Sequence, residues 1–187
     1  MVLDSTICGV NPQCQIPEKS QLPTARDVLR SYPLRSSQKE ISGVSFDVRS
    51  AHKQVAVHPS YRGHLCFQFR GKLYFYKNCP FGAVVSAHFW SRLGGVYQRL
   101  IHRLCYLPHA AFLYVDDMLL FQETQIIGLS AAVIAVLFLL TGLPISWKKC
   151  EMGLPLFGSG GPLIFELGLL PCQNPNDANF LTCWTNF

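Results

Sequence analysis

Phe112-Leu113-Tyr114-Val115-Asp116-Asp117-Met118-Leu119-Leu120-Phe121 sets two adjacent carboxylates between two apolar, strand-forming runs. Strand formers on both sides of an acidic pair predict a β-hairpin whose tight turn carries the aspartates. Turn residues are ordinarily solvated, so an Asp-Asp pair in a turn is by itself only punctuation. The flanks change that reading, because a hairpin this apolar belongs in a core and brings its turn to the core's edge. Two like charges held there repel unless a cation sits between or beside them. Hard divalent cations take oxygen ligands, which makes Mg²⁺ the natural candidate, with Mn²⁺ as its substitute.

The rest of the chain gives that hairpin a setting. A length of 187 residues suits one domain with a real core, and 49% apolar residues excludes disorder throughout. Eight cysteines form no Cys-x-x-Cys pair and follow no secretory signal. They read as reduced thiols and predict an intracellular protein, cytoplasmic or nuclear. The six histidines show no metal-ligand spacing.

The net charge of +5 is modest, but its distribution is uneven. From Val48 to Val115 there is no Asp or Glu, while Arg49, Lys53, Arg62, Arg70, Lys72, Lys77, Arg92, Arg99 and Arg103 lie there. Asp47 closes this block on one side and Asp116 with Asp117 on the other. Such a field suits a polyanion, either nucleic acid or a nucleoside triphosphate, with a plain solvated surface as the alternative. From Cys150 onward there is no Lys or Arg, which marks a compositional break.

Residues 1–40 hold turn formers and one short helical candidate, Thr24 to Arg30, with a Thr24-x-x-Asp27 capping pattern. Ile41 to Val48 predicts a strand with Val44, Phe46 and Val48 on one face and Ser45 and Asp47 on the other. Leu65–Phe69 and Leu73–Tyr76 flank Arg70-Gly71-Lys72, the pattern of a second hairpin whose aromatics read as core. After Pro80-Phe81-Gly82, apolar residues recur at helical steps through Val84, Val85, Phe89, Leu93, Val96, Leu100, Ile101 and Leu104. Ile126 to Leu140 is uncharged and continues to Ile145, so a single membrane span competes with a buried helix; Gly142-x-Pro144 ends the helical pattern early.

Tyr114-Val115-Asp116-Asp117 resembles the Tyr-x-Asp-Asp signature of reverse transcriptases, and other parts of that family's pattern follow in order. Asp47-Val48-Arg49-Ser50-Ala51-His52 resembles palm motif A. The resemblance implies that Asp47 binds metal, with the Val48 carbonyl as a further ligand. It puts Ala51 at the small-residue position and His52 where the family usually has Tyr or Phe, the steric gate under the sugar. Pro80-Phe81-Gly82 and the helix after it resemble motif B, which supports the template base and the incoming nucleotide. Gly142 to Cys150 resembles motif D and selects Lys149 as the group that protonates departing pyrophosphate. Val2-Leu3-Asp4 and Val10-Asn11 look like the end of the fingers motif, and Leu167-Gly168 is a candidate for a primer-contacting hairpin.

The resemblance therefore implies an α+β polymerase palm, an antiparallel sheet backed by helices, from an LTR-type retrotransposon. It predicts a partial fingers and connecting region at 1–40, the palm at 41–150 and a divergent, partly flexible tail at 151–187. The implied chemistry is RNA-directed DNA polymerase activity with two Mg²⁺ ions held by Asp47, Asp116 and Asp117, a template-primer and dNTP as partners, and no membrane partner. A palm truncated at both ends leaves open a catalytically inactive remnant.

Overall fold

Alternation along Ile41–Asp47 builds the central strand, β1, in a computed structural model that describes residues 9, 11–18, 20–31, 40–155, 157–158 and 161–162. Val2-Leu3-Asp4, Val10 and Leu167-Gly168 lie outside the described residues. Before β1, helix α1 (Ala25–Ser31) starts at a reciprocal cap. The Thr24 hydroxyl donates to Asp27 Oδ2 at 2.6 Å, and the Asp27 N–H donates back to Thr24 Oγ1 at 3.4 Å.

A hairpin follows, β2 (Cys66–Phe69) and β3 (Lys72–Phe75), closed by Arg70-Gly71 with both residues at positive φ. That is the two-residue turn whose twist matches the flanking strands. The expectation that its aromatics enter a core is not met. Phe69, Leu73, Tyr74 and Phe75 are exposed, because the hairpin forms a separate two-stranded sheet with few partners beyond itself.

Helix α2 (Val84–Leu104), strands β4 (His109–Tyr114) and β5 (Asp117–Glu123), helix α3 (Thr124–Leu140) and strand β6 (Glu151–Pro155) complete the main body. The sheet runs β4-β5-β1-β6, antiparallel throughout. It therefore takes its edge strand from residues just beyond 150.

Period-two alternation gives this sheet two different faces. Val44, Phe46, Val48, Ala111, Met118 and Leu120 point into the main core with Ile127, Ala131, Ile134 and Phe138 of α3. Ile41, Ala110, Phe112 and Phe121 make a smaller cluster on the other face, against Val28 of α1. Phe138 ties the helices to the sheet through edge-on contacts with Phe46 at 5.8 Å and Tyr97 at 5.6 Å.

Helix α2 carries two apolar stripes, and the sheet takes the less obvious one. Trp90, Tyr97 and Ile101 are buried, with Gly94 between them, while Val84, Phe89, Val96 and Leu104 face outward. Gly94 lies on the buried stripe, where a Cβ would lie 2.2 Å from Leu113 Cδ2, so as packed α2 meets β4 through a glycine, and any larger residue there would displace the Leu113 side chain. Helix α3 ends as its sequence predicts. Gly142 takes φ +72°, and the Leu143 N–H donates to the Phe138 carbonyl at 2.8 Å, a Schellman closure. At 17 residues it stops short of a bilayer, and among the described residues no helix is long and apolar enough to cross a membrane.

Two stability outcomes follow. Phe138→Ala should cost about 3–5 kcal/mol in denaturant unfolding, whereas Leu140→Ala on the outer face of the same helix should change it by less than about 0.5 kcal/mol. A Cβ at Gly95 would meet the tip of Arg99 at an ordinary van der Waals distance of 3.9 Å, so Gly95→Ala should gain roughly 0.5–1 kcal/mol of helix propensity. Gly94→Ala should forfeit that gain by displacing Leu113; equal stabilisation by both substitutions would contradict the close approach.

Candidate active site

The register of β1 on β5 brings the acidic residues together. Asp47 pairs with Asp117, Phe46 with Met118 and Tyr114 with Asp117 across the sheet. Tyr114 and Asp117 thus flank a two-residue loop of Val115 and Asp116. The carboxyl pair is split, with Asp116 in the turn and Asp117 opening the strand, whereas the sequence pattern puts both in the turn. Alternation puts Asp47 and Asp117 on the face opposite α2 and α3.

Backbone pairing continues past the strand ends and locks the cluster. The Val48 N–H donates to the Asp116 carbonyl at 2.8 Å, and the Ser146 N–H donates to the Asp47 carbonyl at 2.9 Å. Val48 bridges Ile145, and the segment then turns so that Lys149 Nζ donates to Asp47 Oδ2 at 2.9 Å. Lys149 remains two-thirds exposed while Asp47 is nearly covered, so the ammonium closes the site from the solvent side.

These charges act on one another. Burial, then the charges of Asp116 and Asp47, push the Asp117 carboxyl up to about 6, against the pull of Lys149. Lys149 is held above its usual range, first by its hydrogen bond to Asp47. The carboxylates therefore carry more negative charge than one lysine offsets. No three His, Cys, Asp or Glu side chains among the described residues are gathered closely enough to hold an ion as they stand. The donor set of carboxylate oxygens nonetheless suits a hard divalent cation, and the raised Asp117 carboxyl marks a place where positive charge is short.

The next turn of chain carries His52. Ala51 is buried beneath it, and Ser50 enters the turn at φ +54°. His52 meets Phe81 edge-on at 5.0 Å, and its Nδ1 is buried without a partner. Burial pulls its imidazole below the usual range, with the Asp116 charge opposing. Backbone bonds from Cys79 N–H to the Val55 carbonyl and from Val57 N–H to the Lys77 carbonyl zip this turn to the Pro80-Phe81-Gly82 loop. Pro80 is buried, Phe81 is exposed and Gly82 sits at φ +88°.

Two contributors escaped the sequence reading. Asn11 clamps the entrance of α2: its Nδ2 donates to the Gly82 carbonyl at 2.7 Å and its Oδ1 accepts from the Val84 N–H at 2.9 Å. Trp90 is buried and donates its indole Nε1–H to the Val115 carbonyl. Asn11 ends the fingers-like stretch and Trp90 lies in the helix after Pro80-Phe81-Gly82, but neither pattern assigns a role to these side chains, and only the folded chain brings each to its partner. Beside the turn lies a cavity of about 560 Å³, lined in part by Leu22, Pro23, His52, Trp90, Leu113 and Val115.

With this geometry in place, comparison with known proteins is informative. The family described as "Reverse transcriptase (RNA-dependent DNA polymerase)" matches residues 4–183. No curated protein matches the chain. Among solved structures, a prototype foamy virus protease-reverse transcriptase aligns with a TM-score of 0.61 at 21% identity, covering 82% of this chain and 19% of that one. A foamy viral protease-reverse transcriptase in complex with double-stranded DNA aligns at 0.58 and 19% identity, covering 81% and 24%. One in complex with an RNA/DNA hybrid aligns at 0.50 and 17% identity, covering 59% and 14%. The chain thus spans about a fifth of the length of these neighbours, and the fold it shares with them is the polymerase palm.

The raised Asp117 carboxyl makes a pH prediction for the metal-free protein. A carboxyl with a folded pKa near 6 and an unfolded one near 3.8 stabilises the fold below about pH 4 and loses that contribution as pH rises through 6. In chelator, wild type should therefore lose stability across pH 4–6 relative to Asp117→Asn. Parallel thermal-unfolding profiles for the two proteins would contradict the assignment.

Proposed function

The chain belongs to the reverse transcriptase family, and from that premise we propose that it is the palm of an RNA-directed DNA polymerase from an LTR-type retroelement. The reaction proposed is transfer of a nucleotide from dNTP to a primer 3′-hydroxyl on a nucleic-acid template. The observation that carries this reading is the register that sets Asp47 against Asp117 and pins the Asp116 carbonyl to the Val48 N–H.

The family uses divalent metals, and the residues that would hold two Mg²⁺ here are Asp47, Asp116 and Asp117, with the Val48 carbonyl as a further oxygen donor. When bound, such ions lower the pKa of the attacking hydroxyl and offset charge on the phosphates. The chain's own groups do the rest. Lys149, paired to Asp47 by an exposed side chain, is free to swing to the departing pyrophosphate and give it a proton.

His52 and Phe81, in edge-to-face contact next to the buried Ala51, form a wall beside Asp116 against which the sugar of the incoming nucleotide would rest. Pro80 and Gly82 hold that wall from behind, since the loop they form is bound to the His52 turn through Cys79 and Asn78. The basic residues of the acid-free block supply the field that attracts template-primer and triphosphate. The RNA/DNA hybrid and double-stranded DNA held by the foamy viral neighbours support nucleic acid as the partner class.

Primer extension on an RNA template with Mg²⁺ tests this directly. Asp116→Asn should lower the rate by about a hundredfold or more, the several kcal/mol that loss of metal-held charge stabilisation represents. Equal extension by wild type and Asp116→Asn would sink the polymerase claim.

A further inference from the structure

The acidic turn is built in a conformation that its sequence resists. Val115, the first residue of the two-residue loop between β4 and β5, has φ +51°. A β-branched residue meets steric crowding there, and hairpin loops of this length ordinarily place glycine or asparagine at such a position. Strained backbone persists only where its surroundings over-determine it. Here two bonds do so from opposite sides. On the sheet side, the Val48 N–H at the end of β1 holds the Asp116 carbonyl at 2.8 Å. On the helix side, the indole N–H of Trp90 holds the Val115 carbonyl.

Trp90 is suited to this task. It is 3% exposed, so its ring is fixed by the core, and its one polar atom is spent on the turn. It lies one helical turn before Gly94, where α2 presses against Leu113 of β4, two residues ahead of Val115. The helix delivers the indole to the turn beside that close approach. The carbonyl it holds belongs to the peptide that leads into Asp116.

We propose that Trp90 is a positioning residue for the carboxylate site: its indole N–H holds the Val115 carbonyl and so keeps Val115 in the left-handed conformation that presents Asp116 and Asp117 toward Asp47. Trp90 touches neither metal nor substrate and acts through the turn. The kinetic part of this inference rests on the polymerase reading, whereas the metal-binding part stands without it.

Trp90→Phe, and Trp90 replaced by the benzothienyl isostere that keeps the bicyclic shape without the N–H, remove the bond; the second preserves packing if the first disturbs folding. Mn²⁺ binding to the full chain, followed by calorimetry, should weaken about tenfold or more in both, as loss of a group orienting a metal ligand typically does. On a primer-template, kcat should fall with little change in KM for dNTP. Val115→Gly should recover most of the Mn²⁺ affinity in the Trp90→Phe background, because glycine takes positive φ without a clamp. A packing role alone would leave the isostere like wild type and would not be rescued at Val115. Wild-type Mn²⁺ affinity in the isostere, failure of the Val115→Gly rescue, or no Mn²⁺ binding by wild type would each overturn the proposal. If wild type binds Mn²⁺ but extends no primer, the polymerase reading fails, and Trp90 is judged on Mn²⁺ affinity alone.

Discussion

Like charges crowded at the end of a strand set the terms for this structure. Asp47 and Asp117 are cross-strand partners, with Asp116 adjacent in the turn. A like-charge pair directly opposite in a sheet is destabilising, and burial makes it worse. The antiparallel register of β1 on β5 enforces the pairing, and that register is not free to slip. A one-residue slip of β1 would turn Val44, Phe46 and Val48 out of the main core that Met118 and Leu120 of the partner strand share. Hydrophobic burial on one face thus holds an unfavourable charge arrangement on the other.

The same logic explains why the anchors lie where they do. Each flank of the acidic turn is tied to an element whose own position is fixed by the core. Val48 is 2% exposed and Trp90 is 3% exposed. The Lys149 pairing differs in kind, since its lysine is largely solvated and so contributes little as a bond. Buried groups define the shape of the site, and an exposed ammonium offsets part of its charge reversibly. The exchange of metal and substrate proposed for this site would call on both.

Much of this was legible in the chain. The alternation at Ile41 to Val48, the Thr24-Asp27 cap, the Arg70-Gly71 turn and the Gly142 helix stop are local signals, and each is realised. The motif register singles out Lys149 from a lysine pair, and Lys149 reaches Asp47 across 102 residues of sequence. What the sequence hid is tertiary. Helix α2 offers a stripe through Phe89 and Val96 as well as the one it buries, and the Gly94 contact with Leu113 that marks the buried one is a tertiary feature. The motifs around Asn11 and Trp90 do not single out these side chains, because a clamp on a distant carbonyl depends on spatial arrival and not on spacing. The positive φ at Val115 is likewise invisible, since valine argues against it.

The outward surfaces are informative in the same way. Leu129, Val136, Leu139 and Leu140 form an exposed apolar face on α3, and the β2–β3 hairpin exposes Phe69, Leu73, Tyr74 and Phe75. Singly exposed apolar residues are ordinary, but contiguous ones mark surfaces that meet something else. These two lie away from the main core cluster, which draws on neither set. The carboxylate site, by contrast, is anchored from within the main body, by the β1–β5 register and the α2 approach to β4. The acidic geometry therefore depends on contacts internal to the palm, and whatever meets the outer surfaces acts on a site whose carboxylates are already held by the chain itself.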